Sequence, residues 1–174
     1  MADTTAPQER LQPALLDRLT DDEPDKKVEP REARVLSKRK LRESVLRDLA
    51  WLFNATQLEA VNPLARAPFV RKSVLNFGMP ALSGNTASSM DITDLTRAIR
   101  DAILTFEPRI LPASLDVRTL MEGGDLDHHN VIGVEIHGQL WAQPVPLEFL
   151  VRTDFDLETG RVRITDLASS TRVA

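Results

Sequence analysis

The sequence predicts an α+β fold, with N-terminal helices packed on a C-terminal, mostly antiparallel four-stranded sheet. Three observations predict it. Apolar residues recur at helical intervals as far as Phe106. Pro108 then breaks the pattern, and from Leu115 onward the period becomes two. Four alternating segments follow, two of them separated by the short turn-like stretch Asp156-Leu157-Glu158-Thr159-Gly160. Helices first and strands second is the pattern of an α+β domain.

The chain divides into three parts. Residues 1–37 form an N-terminal docking segment and charged linker, residues 38–168 the folded α+β domain, and residues 169–174 a short tail. In the first part Leu11, Leu15, Leu16 and Leu19 have helical spacing near Pro13. A helix this short does not stand alone in water, so it either frays or docks through those leucines. The stretch from Thr20 to Arg34 holds Asp21, Asp22, Glu23, Pro24, Asp25 and Pro30 and reads as a linker.

The folded body is expected to start near Ser37. Leu41, Val45, Leu46, Leu49, Leu52 and Phe53 make the apolar stripe of an amphipathic helix ending near Asn54, with Arg42, Glu43, Arg47 and Asp48 on the solvated side. Asn62-Pro63 and Pro68 mark a loop, and Phe69 to Leu75 a short helix that Gly78 would terminate. Ser83 to Ser89 reads as a loop whose last serines cap the next helix, helped by Asp91 and Asp94. Ile92, Leu95, Ile99, Ala102, Ile103 and Phe106 form its buried stripe. The strands alternate around Leu115 and Val117, around Ile132, Val134 and Ile136, around Leu147, Phe149 and Val151, and around Val162 and Ile164.

Composition excludes several function classes. The 174 residues carry 26 acidic and 22 basic side chains, so the net charge of −4 disfavours general nucleic-acid binding. Tyrosine is absent and tryptophan occurs twice, too little for an aromatic stacking platform. Without cysteine there is neither disulfide nor thiolate metal site. MADTTAPQER lacks the pattern of a secretory signal, and no apolar run is long enough to insert in a membrane, so a cytoplasmic location is expected.

The segment with most chemistry is Phe106-Glu107-Pro108-Arg109-Ile110. Proline drives Glu107 out of helical angles, and an extended Arg109 would project on the same side as Glu107. The two side chains then pair with each other, a weak contact if exposed, or with groups on another chain. A glycosidase would need Glu107 as general acid and a second carboxyl from Asp101, Asp116, Asp125 or Asp127. A nearby Arg109 favours the ionised carboxylate, which opposes that role. His128, His129 and His137 are the only histidines, and Asp-x-His-His reads as a polar turn rather than a metal site. Nucleophile-elbow and phosphate-loop motifs are absent, and Lys38, Arg39, Lys40 and Arg42 form an ordinary basic cluster on the first helix. No catalytic residue, cofactor or metal is expected.

Several segments, in order, resemble the TssE family of type VI secretion baseplates, relatives of the small wedge protein of contractile phage baseplates. Leu15-Leu16-Asp17-Arg18-Leu19 resembles the N-terminal family signature, and Leu41 to Leu52 its first long helix. Ser73-Val74-Leu75-Asn76-Phe77-Gly78-Met79-Pro80 resembles the segment before the central loop, Glu107-Pro108-Arg109 the Glu-Pro-Arg motif, and Leu140 to Leu147 the sheet segment that follows. Lys72 and the Asp21–Arg34 linker depart from the pattern.

The resemblance implies a non-catalytic baseplate subunit in a hetero-oligomeric assembly docked near the inner membrane. Its partners would be large baseplate wedge proteins and contractile sheath subunits, without nucleic acid or direct membrane insertion. Glu107, Pro108 and Arg109 would make the wedge contact, and Leu15, Leu16 and Leu19 the N-terminal docking contact. A strand at a sheet edge offers unpaired backbone groups to a partner, and the segment holding Arg161, Val162 and Arg163 is the candidate sheath-facing edge. The alternatives are a peptidoglycan-acting, lysozyme-like glycosidase and a generic adaptor that recruits one partner through its N-terminal helix.

Overall fold

A computed structural model describes residues 14–20, 24–25, 37–81, 92–120 and 131–167. The loop around His128 and His129, the serines expected to cap the helix after residue 90, most of the acidic linker and the C-terminal tail lie outside these residues.

Among the described residues four α-helices precede four strands: α1 (Leu15–Leu19), α2 (Lys38–Asn54), α3 (Pro68–Arg71), α4 (Ile92–Phe106), then β1 (Asp116–Leu120), β2 (Val131–Leu140), β3 (Leu147–Asp156) and β4 (Val162–Asp166). The strands form one antiparallel sheet in sequential order. The expected α+β fold is therefore the fold observed.

Helix α2 starts where Ser37 Oγ accepts the Lys40 N–H at 3.2 Å, which satisfies one of the donors a helix N-terminus leaves open. It packs against β4, and α4 packs against β1, so the two long helices cover one face of the sheet. The strand pattern follows from this. Ile132, Val134, Ile136 and Leu140 on β2 and Phe149, Val151 and Phe155 on β3 are buried, whereas Glu135 and Arg152 are partly exposed and His137 is exposed. The core joins these residues to Leu41, Val45, Leu49, Leu52 and Phe53 of α2 and to Leu95, Ile99 and Ile103 of α4.

Three local expectations need correction. The helix expected over Phe69–Leu75 splits into α3 and a 3-10 turn, Val74–Asn76. Ser73 causes the split, because its Oγ accepts the Leu75 N–H and starts the new turn. Gly78 ends no helix. It has φ +131°, and a Cβ there would lie 2.5 Å from the Ala55 carbonyl oxygen. Close passage of Met79 beside Thr56 in a parallel bridge requires this glycine. Finally, only Leu140 of the Leu140–Leu147 segment and Leu147 itself are in strands, and the intervening residues connect β2 to β3.

Candidate functional site

The Glu-Pro-Arg segment forms the junction between α4 and the sheet. Glu107 is still bound to the helix, its N–H donating to the Ile103 carbonyl at 2.8 Å. Pro108 has no N–H to continue the ladder. The chain turns instead, with the Ile110 N–H donating to the Glu107 carbonyl at 3.2 Å. Beyond the turn, Trp141 N–H donates to the Arg109 carbonyl at 2.7 Å and Leu111 N–H to the Gln139 carbonyl at 2.8 Å. The turn is thus fixed to α4 on one side and to the end of β2 on the other.

Glu107 and Arg109 do come together, but by a different geometry from the extended one expected. The turn folds Arg109 back over the Glu107 carboxylate, with Nε on Oε1 at 2.7 Å and Nη2 on Oε2 at 2.5 Å. This side-on pair uses both oxygens of the carboxylate. Nor is it the exposed pair considered from sequence: Glu107 is 3% exposed. Arg109 Nη2 also reaches Asp48 Oδ2 at 2.5 Å, and Nη1 reaches Ser44 Oγ at 3.1 Å.

From Asp48 the contacts continue. Arg47 Nε donates to Asp48 Oδ1 at 2.9 Å, and Arg47 Nη1 donates to Asp17 Oδ1 of α1 at 2.7 Å. Glu107, Arg109, Asp48, Arg47 and Asp17 therefore alternate in sign from the buried turn to the N-terminal helix. Burial opposes the charge on Arg109, but Glu107 and then Asp48 outweigh it and raise its pKa above the ordinary arginine value. Arg47 is raised likewise, burial being outweighed by Asp17 and Asp48. Both guanidiniums stay charged at any physiological pH.

Beside the network lies a mostly apolar groove lined by Leu16, Trp51, Phe77, Phe106, Pro108 and Arg109 among others. Phe77 and Phe106 meet edge to face, with centroids 5.3 Å apart, and Arg47 lies over the Trp51 ring at 5.2 Å. Of the three docking leucines, Leu16 borders the groove, while Leu15 and Leu19 remain strongly exposed. The N-terminal helix is seated on its own chain through Asp17 as well as offering leucines outward.

The third candidate segment lies at the other side of α2. Strand β4 is one edge of the sheet. At its start Val162 is already engaged: its N–H donates to Asn54 Oδ1 and its carbonyl accepts from Asn54 Nδ2, both at 3.0 Å. The Arg161 carbonyl accepts from Asp156 N–H and Leu167 N–H donates to the Leu150 carbonyl, so by alternation the backbone of Ile164, like that of Val162, points away from β3. Arg161 and Arg163 are exposed. At the other end Asp166 accepts from Arg42 Nε at 2.7 Å and Nη2 at 2.8 Å.

The expectation that Arg42, Arg47 and Asp48 lie on a solvated helix face is corrected by these contacts. Ser44 and Asp48, spaced four residues apart beside the apolar stripe, were the available signal for a polar contact there. Of the described acids considered as a second catalytic carboxyl, Asp101 is exposed on α4, and Asp116 pairs with Arg118 at 2.6 Å on the far face of the sheet. Among the described residues no group of acids, histidines or cysteines is arranged to hold a metal ion, and no helix is long and apolar enough to cross a membrane.

The family model for baseplate wedge protein gp25 matches residues 39–145. The chain belongs to this gp25 family. The match runs from α2 through the Glu-Pro-Arg turn to the end of β2, and so covers the network from Arg47 to Arg109. TssE is the type VI member of the gp25 family, which agrees with the resemblance read from the sequence. Neither the comparison with curated proteins nor that with solved structures gave a match. Membership of the gp25 family assigns the chain a structural role in a phage-tail-like baseplate, assembled with other baseplate components.

Proposed function

We propose that this gp25-family chain is the TssE subunit of a type VI secretion baseplate in the cytoplasm, without catalytic activity. It binds the large wedge proteins through the surface around Glu107, Pro108 and Arg109. The supporting observation is the buried Glu107–Arg109 pair, which holds Pro108 at the surface beside an apolar groove. A contact surface held in one conformation loses little entropy on binding. Both oxygens of Glu107 are occupied by one guanidinium, an arrangement suited to bracing a turn rather than to donating a proton.

The test is recovery of baseplate components with a tagged chain, wild type beside the Glu107→Ala/Arg109→Ala double variant. Removing both partners of a pair is milder than removing one, so circular dichroism is expected to stay unchanged while the large wedge proteins are lost. Equal recovery by the two proteins would defeat the reading. Leu15 and Leu19 of α1 supply an accessory docking contact on the same account.

The sheath-facing role belongs to β4, with Arg161, Val162 and Arg163 at its start and the open backbone of Ile164 next to them. Because Val162 is held by Asn54, the informative substitution is Ile164→Pro, which removes an outward N–H and no ladder hydrogen bond. Ile164 also packs against the core, so retention of the fold is checked first by circular dichroism; the folded variant should prevent sheath polymerisation from starting. Normal sheath formation with this variant would exclude strand addition at β4.

A further inference from the structure

Between α2 and Gly78 the chain builds a small module that the Glu-Pro-Arg site does not use. It consists of the 3-10 turn Leu58–Ala60, helix α3 and the 3-10 turn Val74–Asn76. Asn76, itself buried, holds the parts together: its Oδ1 accepts the Glu59 N–H at 2.9 Å and its Nδ2 donates to the Arg71 carbonyl at 3.0 Å. Arg71 also pairs with Glu59. Leu64, within the same stretch, is buried, and Phe77 at its end lines the groove beside Phe106.

This braced frame turns four of its large apolar side chains outward. Phe69 is 91% exposed, Val74 80%, Val61 74% and Leu75 67%. Single exposed apolar residues are common, but four on one hydrogen-bonded unit of about twenty residues mark an interaction surface. The charge around them is one-sided. Between residues 58 and 77 Glu59 is the only acid, against Arg66, Arg71 and Lys72, in a chain whose net charge is −4. Glu59 is taken by Arg71, whereas Arg66 and Lys72 are exposed and make no ion pair among the described residues.

We infer that the module binds an acidic amphipathic segment of another baseplate protein. Its apolar side chains would cover Phe69, Val74 and Leu75, and its carboxylates would meet Arg66 and Lys72. A second copy of this chain is a poorer occupant, since two acidic molecules repel. The inference goes beyond the Glu-Pro-Arg contact and does not depend on it.

The test places a photo-cross-linking phenylalanine analogue at position 69 of the full-length chain, in cells that assemble the baseplate, with position 165 as the exposed control. A cross-link specific to position 69 should map to another baseplate protein, in a peptide rich in apolar and acidic residues. Arg66→Glu with Lys72→Glu should lower its yield about fivefold or more. The inference is overturned by a cross-link to a second copy of this chain or to a neutral or basic peptide. It is overturned equally by a yield insensitive to the charge reversal, or by no cross-link above the control.

Discussion

Arg109 and Asp48 lie 61 residues apart in sequence, yet Arg109 Nη2 sits 2.5 Å from Asp48 Oδ2. The contact joins the turn after α4 to the middle of α2, so it fixes the two long helices at the point where the chain enters the sheet. Because the same guanidinium holds both oxygens of Glu107, each carboxylate helps place the other's partner.

Asp48→Ala should therefore destabilise the domain by about 1–3 kcal/mol, discounted because a quarter of the Asp48 side chain is exposed. Glu107→Ala should cost more, about 2–4 kcal/mol, because a partly buried guanidinium loses its bidentate partner. Groups sharing one partner couple, so the double variant should differ from the sum of the singles. Chemical denaturation of the four proteins measures this, and strict additivity would mean that the network is not a unit.

Gly78→Ala should be among the most damaging small substitutions. The added Cβ would lie 2.5 Å from the Ala55 oxygen and 2.8 Å from the Gln57 nitrogen, both backbone atoms, at a φ that side chains rarely adopt. A loss of about 2–4 kcal/mol is expected in thermal or urea unfolding. A variant as stable as wild type would show that the crossing of residues 55–57 and 78–79 is looser than described.

Thr153→Val should stabilise the protein. Thr153 is fully buried on the inner face of β3, and its Oγ1 has no hydrogen-bond partner. Replacing an unsatisfied hydroxyl by a methyl of similar shape removes a desolvation cost, with a gain of about 1 kcal/mol. A lower melting temperature for the variant would mean that the hydroxyl does have a partner.

The β3–β4 turn should contribute to acid sensitivity. Asp156 Oδ1 accepts the Glu158 N–H at 2.9 Å and the Thr159 N–H at 3.0 Å. Its pKa is lowered, chiefly by the Thr159 backbone bond. A lowered folded pKa means that the carboxylate's contribution is complete above the unfolded value, about 3.9, and is lost as pH falls through the folded value. Melting temperatures of wild type and Asp156→Ala should differ at pH 7 and converge below about pH 3. A gap that widens on acidification would contradict the sign.

Much of this was legible because the signals were local. The helix start near Ser37, Pro108 as helix stop, the alternation of β2 and β3 and the Asp156–Gly160 turn each act within a few residues. The gp25-family relationship was legible through the ordered segments around Leu41 to Leu52 and Glu107 to Arg109. The Arg109–Asp48 contact was not, because the Ser44/Asp48 spacing on α2 signals a polar contact but cannot name a partner 61 residues away. Arg42 was read as solvated for the same reason, although Asp166, 124 residues on, holds it. Gly78 was misread because its requirement comes from the backbone of Ala55, and a glycine after a helical stretch looks the same whether it caps or passes close.

The most direct test keeps every charged side chain of the network and alters the surface beside it. Pro108 is exposed, and its ring carries no donor or acceptor to enter the hydrogen bonds of the Asp48–Arg109–Glu107 triad. Tagged Pro108→Asp and wild-type chains would be used to recover baseplate complexes from cells, after their melting temperatures are shown to agree. Wild type should bring down the large wedge proteins and Pro108→Asp should not. Equal recovery of those proteins by a stably folded Pro108→Asp chain would contradict it, and would reduce the Glu-Pro-Arg turn to an internal brace.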